Sequence, residues 1–96
     1  MKYMTDAHIA NVSEFLKRKG FDCETVHQRM RGDEKSEISI KDPEIVDFLM
    51  RERSRGIEIT LICNDEDLAG HCRVQRIPVV FIPDLVVDSV ERLERR

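Results

Sequence analysis

The chain has 96 residues, of which 41% are hydrophobic and 36% are charged, and its formal net charge is −3. This length gives room for one domain, residues 1–96, and for no second core. The acidic balance argues against a protein that coats nucleic acid through a basic surface. Residues 1–20 carry charges throughout and no apolar run approaches the roughly 20 residues that cross a bilayer, so the sequence predicts a cytoplasmic protein without a membrane partner.

The first part of the chain predicts two strands with a helix between them. Residues 2–5 form a short strand that ends at Asp6. Apolar residues then recur at helical spacing up to a basic last turn and Gly20, which is a typical helix end. Residues 21–26 follow as a second strand, whose acidic side chains favour the edge of a sheet.

A polar segment from His27 to Lys41 separates these elements from the rest of the chain. It is longer than a typical connection and rich in charge, so we expect a functional or mobile loop there. Asp42 and Pro43 then predict a helix start, with Asp42 as the N-cap and Pro43 as the first helical residue. This helix is expected to end near Gly56.

The second half contains the most strongly patterned stretch of the chain. Residues 57–63 are apolar and β-branched enough to form a strand that is buried on both faces. A turn with three carboxylates and a short helix follow, and then a fourth strand at 77–82. Pro83 begins a last, amphipathic helix. Its apolar side carries Val86, Val90 and Leu93.

This alternation of strands and helices predicts an α/β fold, a three-layer α/β/α sandwich with a central parallel sheet of about four strands. Right-handed crossovers place strand 1 centrally, with strand 2 on one side and strands 3 and 4 on the other. The switch point then lies between strands 1 and 3, whose carboxyl ends carry Asp6 and Asp65. Asp42 approaches the same edge from the start of its helix.

These three aspartates, Asp6, Asp42 and Asp65, form the candidate site. Carboxylates that meet without a matching base repel each other, which raises their pKa values or recruits a cation. Oxygen ligands of this kind favour Mg²⁺ or Mn²⁺, which promote in-line attack on a phosphodiester. Structural roles compete with this interpretation, since Asp42 suits a helix cap and Asp6 a turn. Either Asp65 or Asp67 must also cap the short helix.

The cysteines and histidines show no spacing that is typical of a metal site. The sequence therefore predicts three small, buried thiols rather than zinc ligands or a disulfide. These cysteines are Cys23, Cys63 and Cys72, and the histidines are His8, His27 and His71.

Several segments together resemble PIN-like domains, a superfamily of metal-dependent ribonucleases. Residues 2–8 are similar to the first strand of that family, which ends in an Asp, and residues 15–22 to its first helix and second strand. Residues 42–45 are similar to the acidic helix start before the penultimate strand. Residues 61–68 resemble that strand with its acidic turn, and residues 77–82 resemble the strand after it. The order and spacing of the segments, over nearly the whole chain, carry the resemblance.

The resemblance implies a metal-dependent endoribonuclease that hydrolyses RNA phosphodiesters. The implied catalytic residues, which also hold Mg²⁺ or Mn²⁺, are Asp6, Asp42 and Asp65, with Asp67 and Glu37 as further candidate ligands. Glu34 competes with Glu37 for the place of an additional family carboxylate. Cys63 stands where the family commonly has Thr or Ser.

The resemblance also implies partners. Small PIN-like domains include the toxins of toxin–antitoxin pairs and RNA-processing enzymes, so we expect an RNA substrate and consider an antitoxin-like protein partner. The predicted contacts to the RNA backbone are Arg29, Arg31 and Lys41, which flank the polar segment.

Two other functions stay open on the sequence. A catalytically degenerate PIN-like module would act in protein association, and the apolar face of the last helix together with the small core favours a homodimer. A receiver-like phosphoacceptor domain also gathers acids at strand ends. However, no Lys follows the final strand, where such a domain needs one.

Overall fold

The computed structural model describes residues 1–32 and 38–96 and contains one sheet of four parallel strands flanked by helices. The strands are β1 (Lys2–Thr5), β2 (Asp22–Thr25), β3 (Ile59–Cys63) and β4 (Val79–Phe81). The helices are α1 (Ala10–Arg18), α2 (Val26–Arg31), α3 (Asp42–Ser54), α4 (Glu66–Val74) and α5 (Ile82–Glu94), and a 3-10 turn at Ala7–Ile9 precedes α1. The order of the strands in the sheet is β2-β1-β3-β4, as predicted. The architecture is consistent with a three-layer α/β/α sandwich.

Strand β3 is the most deeply enclosed element, because all five of its residues are buried. It pairs with β1 on one side and with β4 on the other, so that Thr5 lies level with Ile62 and Phe81 with Cys63. Burial on both faces is what its apolar, β-branched sequence predicted. The predicted strands 21–26, 57–63 and 77–82 are each shorter in the structure, by one or two residues at an end.

The main hydrophobic cluster lies between the sheet and the helices α3 and α4. Met4 and Leu61 contribute from the sheet and are fully buried. Leu49 of α3 and Leu68 of α4 pack against them from the helices. Full burial of side chains of this size stabilises the fold by about 1.5–3 kcal/mol each.

The start of α3 differs from its prediction by one residue. Lys41 is the N-cap, with extended backbone angles, and its carbonyl accepts hydrogen bonds from the N–H groups of Glu44 and Ile45 at 3.0 and 3.2 Å. The prediction that Asp42 is the N-cap and Pro43 the first helical residue is therefore wrong, because Asp42 already belongs to the helix. The side chain of Lys41 makes no capping hydrogen bond at this helix start.

The prediction of a polar loop from His27 onward is wrong for its first part, which forms α2. The hydroxyl of Thr25 caps this helix by accepting a hydrogen bond from the N–H of Gln28 at 3.1 Å. Val26 and His27 are buried, and Gly32 ends the helix with a φ of 72°, a left-handed conformation that favours glycine. Tertiary burial therefore stabilises a segment whose composition is typical of a loop.

Helix α5 follows β4 and begins, as predicted, with Pro83 in its first turn. No residue of this 13-residue helix is buried, and its apolar residues are about half exposed. The predicted amphipathic helix thus exists, but its apolar face is uncovered. None of the helices in the two described ranges is long and apolar enough to cross a membrane.

Replacement of Thr25 tests the unexpected helix α2. Thr25→Ala removes the capping oxygen and should lower the free energy of unfolding by about 1 kcal/mol. Thr25→Ser keeps a hydroxyl at the same place and should lose less than half as much. Urea titration of both variants measures the difference, and equal losses would contradict the capping role.

Candidate functional site

The ends of β1 and β3 place two acidic residues next to each other. The backbone N–H of Asp6 donates a hydrogen bond of 3.1 Å to the carbonyl of Ile62, which continues the pairing of the two strands. Asp6 follows Met4 by two residues and Asp65 follows Cys63 by two, and Met4 and Cys63 both belong to the main hydrophobic cluster. Both aspartates lie near the start of α3, since the carboxylates of both act on the carboxyl of Asp42 there.

Asp42 reaches the same region from the start of α3 and is partly buried. Burial raises the pKa of its carboxyl, and the nearby carboxylates of Asp65, Asp6 and Asp67 raise it further. The nearby imidazole of His71 acts in the opposite direction. Four carboxylates from three separate chain segments therefore lie close enough to interact. We call these four residues, Asp6, Asp42, Asp65 and Asp67, the acidic edge.

Asp65 also has a structural role, since it is the N-cap of α4. Its Oδ1 atom accepts a hydrogen bond from the N–H of Leu68 at 3.1 Å. Of the two predicted alternatives, Asp65 is thus the cap, and Asp67 lies in the first turn of the helix. The positive end of the helix dipole partly offsets the repulsion among these acids. A cap needs only one oxygen, so the second carboxylate oxygen of Asp65 is left for other ligands.

Two buried thiols lie beneath the acidic edge. Burial raises the pKa of Cys72 to about 11, with further contributions from Cys63 and Asp42. Burial also raises the pKa of Cys63, whose Sγ donates a hydrogen bond of 3.6 Å to the backbone carbonyl of Asp65. Both thiols are therefore neutral at pH 7 and poor nucleophiles. As predicted, all three cysteines are buried and free.

A cleft of about 310 Å³ opens beside the acidic edge and is lined by both Asp6 and Asp42. Its apolar wall includes Val26 and Ile45, and His8 and Ser39 add polar groups. A second, more open depression of about 480 Å³ between α2 and α3 contains none of the four acids. The first cleft is therefore the one that a ligand of the acidic edge would enter.

Two of the three residues predicted to contact RNA already form ion pairs within the chain. Arg29 forms an ion pair with Glu24 at 3.6 Å, and Arg31 forms one with Glu44 at 3.4 Å. These guanidinium groups would have to exchange their carboxylates for phosphates in order to bind RNA. Lys41 is exposed and adjacent to Asp42. Glu34 and Glu37, the two candidates for an additional carboxylate, lie outside the described residues.

His71 is the residue of this region that the sequence analysis missed. It lies on α4 near enough to Asp42 for its charge to lower the pKa of that carboxyl. The spacing of four residues indicates that Asp67 and His71 share a face of α4, but it does not indicate that this face lies near Asp42.

The acidic edge is not a preformed metal centre. Within residues 1–32 and 38–96, no three His, Cys, Asp or Glu side chains are arranged to hold an ion. The side chain of Asp67 is exposed, so it can change rotamer without disturbing the core.

Comparisons of the chain with family models, curated proteins and solved structures find no match. The resemblance to PIN-like domains therefore rests on the order and spacing of the segments alone.

Two substitutions of Asp65 separate its cap from its charge. Asp65→Ala removes the capping oxygen and should lower the melting temperature by about 4–8 °C, which corresponds to about 1 kcal/mol. Asp65→Asn keeps a capping oxygen without the charge and should leave the melting temperature nearly unchanged. A loss of similar size in both variants would show that the charge itself stabilises the fold.

The raised pKa of Asp42 makes a prediction about pH. Because the folded protein holds this proton more tightly, ionisation of Asp42 destabilises the fold once the pH exceeds its ordinary pKa of 3.8. Asp42→Asn should therefore raise the free energy of unfolding at pH 7, by about 0.5 kcal/mol or less, and have no effect near pH 3.

Urea titrations at both pH values measure this difference. Asp47→Asn on the exposed part of α3 is the control. A gain from Asp42→Asn that persists in acid would contradict the repulsion among the carboxylates.

Proposed function

We propose that the protein is a divalent-metal-dependent endoribonuclease of the PIN-like type, whose site is the acidic edge. The observation that supports this proposal is the convergence of four carboxylates from three chain segments, which together repel the charge of Asp42. Without a cation this arrangement is electrostatically unfavourable. Clusters of this kind occur most often at functional sites, which supports a role for these carboxylates in binding a ligand. The PIN-like resemblance of the sequence gives the reaction class.

The donors fit a hard divalent cation. All four side chains offer carboxylate oxygens, the ligands that Mg²⁺ and Mn²⁺ prefer. Asp6, Asp42 and Asp65 would hold the ion, with Asp67 as an additional oxygen ligand. Because no three of these side chains among the described residues are arranged around one point, binding has to draw Asp67 inward.

A divalent cation in this place would supply Lewis acidity and neutralise charge on an RNA phosphodiester during in-line displacement. The chain itself positions the ligands. Backbone pairing with Ile62 fixes Asp6, and the capping bond to Leu68 fixes the orientation of Asp65. The neutral thiols of Cys63 and Cys72 are poor nucleophiles at pH 7, and water would be the attacking group. Lys41, exposed and next to Asp42 in the sequence, would contact a phosphate of the RNA.

The second candidate is a catalytically degenerate PIN-like module that acts in protein association. The absence of a preformed ligand group among the described residues favours it, as does Cys63 in place of a hydroxyl residue. An antitoxin-like protein would fit either candidate, since a partner can cover the site of an active or an inactive domain.

The deciding experiment combines thermal melts with and without Mn²⁺ and cleavage of a structured RNA. Mn²⁺ at 100 times its dissociation constant should stabilise the wild type by about 2.7 kcal/mol. Asp6→Asn and Asp65→Asn should each abolish this stabilisation and lower cleavage by more than about 100-fold, because even outer-shell partners of a metal contribute 10–100-fold.

Asp47→Asn is the matched control, since it removes one carboxylate from the exposed face of α3. It should leave both the stabilisation and the cleavage unchanged. A wild type that neither gains stability with Mn²⁺ nor cuts RNA would contradict the nuclease proposal and favour the association module.

A further inference from the structure

A buried histidine, His27, lies at the start of α2, and only 7% of its surface is exposed. Its Nε2 atom lies 2.9 Å from the backbone carbonyl oxygen of Ile38. A carbonyl oxygen can only accept a hydrogen bond, so Nε2 carries the hydrogen and donates it. The Nδ1 atom of the neutral ring is then without a hydrogen. The contact therefore fixes the tautomer of His27.

This hydrogen bond joins α2 to residues 38–41, the segment that leads into α3. Ile40 holds the second half of the segment, since its side chain is buried in the main hydrophobic cluster. The first half differs, because the side chain of Ile38 is 65% exposed and Ser39 is exposed as well. Burial of its side chain therefore restrains Ile38 little, whereas the bond from His27 restrains it through its backbone.

The joined residues form part of the wall of the cleft beside the acidic edge. Asp6 and Asp42 share this wall with three residues of the joined segments, which are His27, Ser39 and Ile40. Asp42 comes two residues after Ile40 and is the first residue of α3. The hydrogen bond of His27 and the burial of Ile40 therefore act on the chain immediately before this carboxylate.

Electrostatic repulsion acts on the start of α3, where Asp42 lies. The carboxylates of Asp65, Asp6 and Asp67 all oppose its ionised form. The first N–H groups of a helix also lack partners within the helix, and helix ends fray more readily than helix centres. Repulsion at a frayed end would move Asp42 away from the other acids and open the acidic edge.

We propose that His27 is a positioning residue of the acidic edge, whose hydrogen bond to Ile38 holds residues 38–41 and the start of α3 so that Asp42 stays near Asp6. The restraint itself follows from contacts within the chain. Its consequence for a divalent cation rests on the proposed function, so the restraint and the consequence are measured separately.

Three substitutions of His27 separate the hydrogen bond from the ring. His27→Phe keeps an aromatic ring of similar shape and removes the donor. His27→Gln removes the ring but places an amide nitrogen near the position of Nε2, so it can still donate to the carbonyl of Ile38. His27→Asn is the matched control, because it has the same amide on a side chain that is one methylene shorter and does not reach Ile38.

NMR relaxation of the backbone amides measures the restraint in the whole chain without metal. Residues 38–42 of the wild type should show order parameters of about 0.85, which are typical of rigid backbone. His27→Phe and His27→Asn should lower these values below about 0.6, whereas His27→Gln should stay near the wild type. Residues 59–63 of β3 should be unchanged in every variant, which checks the fold.

Titration with Mn²⁺ alone measures the consequence for the site. His27→Phe and His27→Asn should bind Mn²⁺ about 10-fold more weakly than the wild type, and His27→Gln should bind it within about twofold, because residues that orient metal ligands contribute 10–100-fold to affinity. A wild type that does not bind Mn²⁺ would contradict the nuclease proposal. The order parameters would then decide the positioning role by themselves.

Nitrogen-15 spectra of the imidazole report the tautomer directly, and a neutral His27 with its hydrogen on Nδ1 would overturn the proposal. Wild-type residues 38–42 with order parameters below about 0.6 would also overturn it, as would a His27→Phe variant in which they are as rigid as in the wild type. Equal behaviour of His27→Gln and His27→Asn would do the same, because the reach of the donor would then not matter. This last comparison decides the proposal even if His27→Phe fails to fold.

Discussion

The parallel pairing of β1 with β3 is the constraint on which the rest of the structure depends. It sets Thr5 level with Ile62, and the next hydrogen bond, from Asp6 to Ile62, carries the pairing to the end of the strand. A slip of one residue would turn every side chain of β1 to the opposite face of the sheet. Met4 would then leave the main hydrophobic cluster, and Asp6 would lie away from α3. The register of β1 against β3 therefore positions both the hydrophobic core and the acidic edge.

The acidic edge exists because backbone and packing interactions place its members, in spite of their mutual repulsion. Asp6 is fixed through its N–H group, Asp65 through a helix cap, and Asp42 through the packing of α3 on the sheet. None of these restraints uses the charge of the carboxylate that it positions. The charges can therefore act on a ligand. Their repulsion lowers the free energy of unfolding, and the interactions in the rest of the fold offset this loss.

Sequence patterns predicted the strands, their order and the shared edge of Asp6 and Asp65, because buried parallel strands have a continuous apolar signature and crossovers are right-handed. Sequence patterns did not predict α2, because this helix is stabilised by contacts between residues that are far apart in the sequence. His27 is buried, and its Nε2 atom lies 2.9 Å from the carbonyl of Ile38, eleven residues away. The proximity of His71 to Asp42 also follows from the packing of α4 beside α3, which no local spacing reveals.

The register of the sheet also governs the order in which the chain can fold during synthesis. Lys2 lies level with Ile59, which is 57 positions later in the sequence, although their two strands are neighbours in the sheet. As the chain leaves the ribosome, β1 can pair with β2 early, but its other edge stays open until β3 emerges. Contacts of such long sequence separation form slowly. In the nascent chain, the edge of β1 that pairs with β3 therefore stays open until residues 59–63 have emerged, and an open strand edge of this kind favours aggregation.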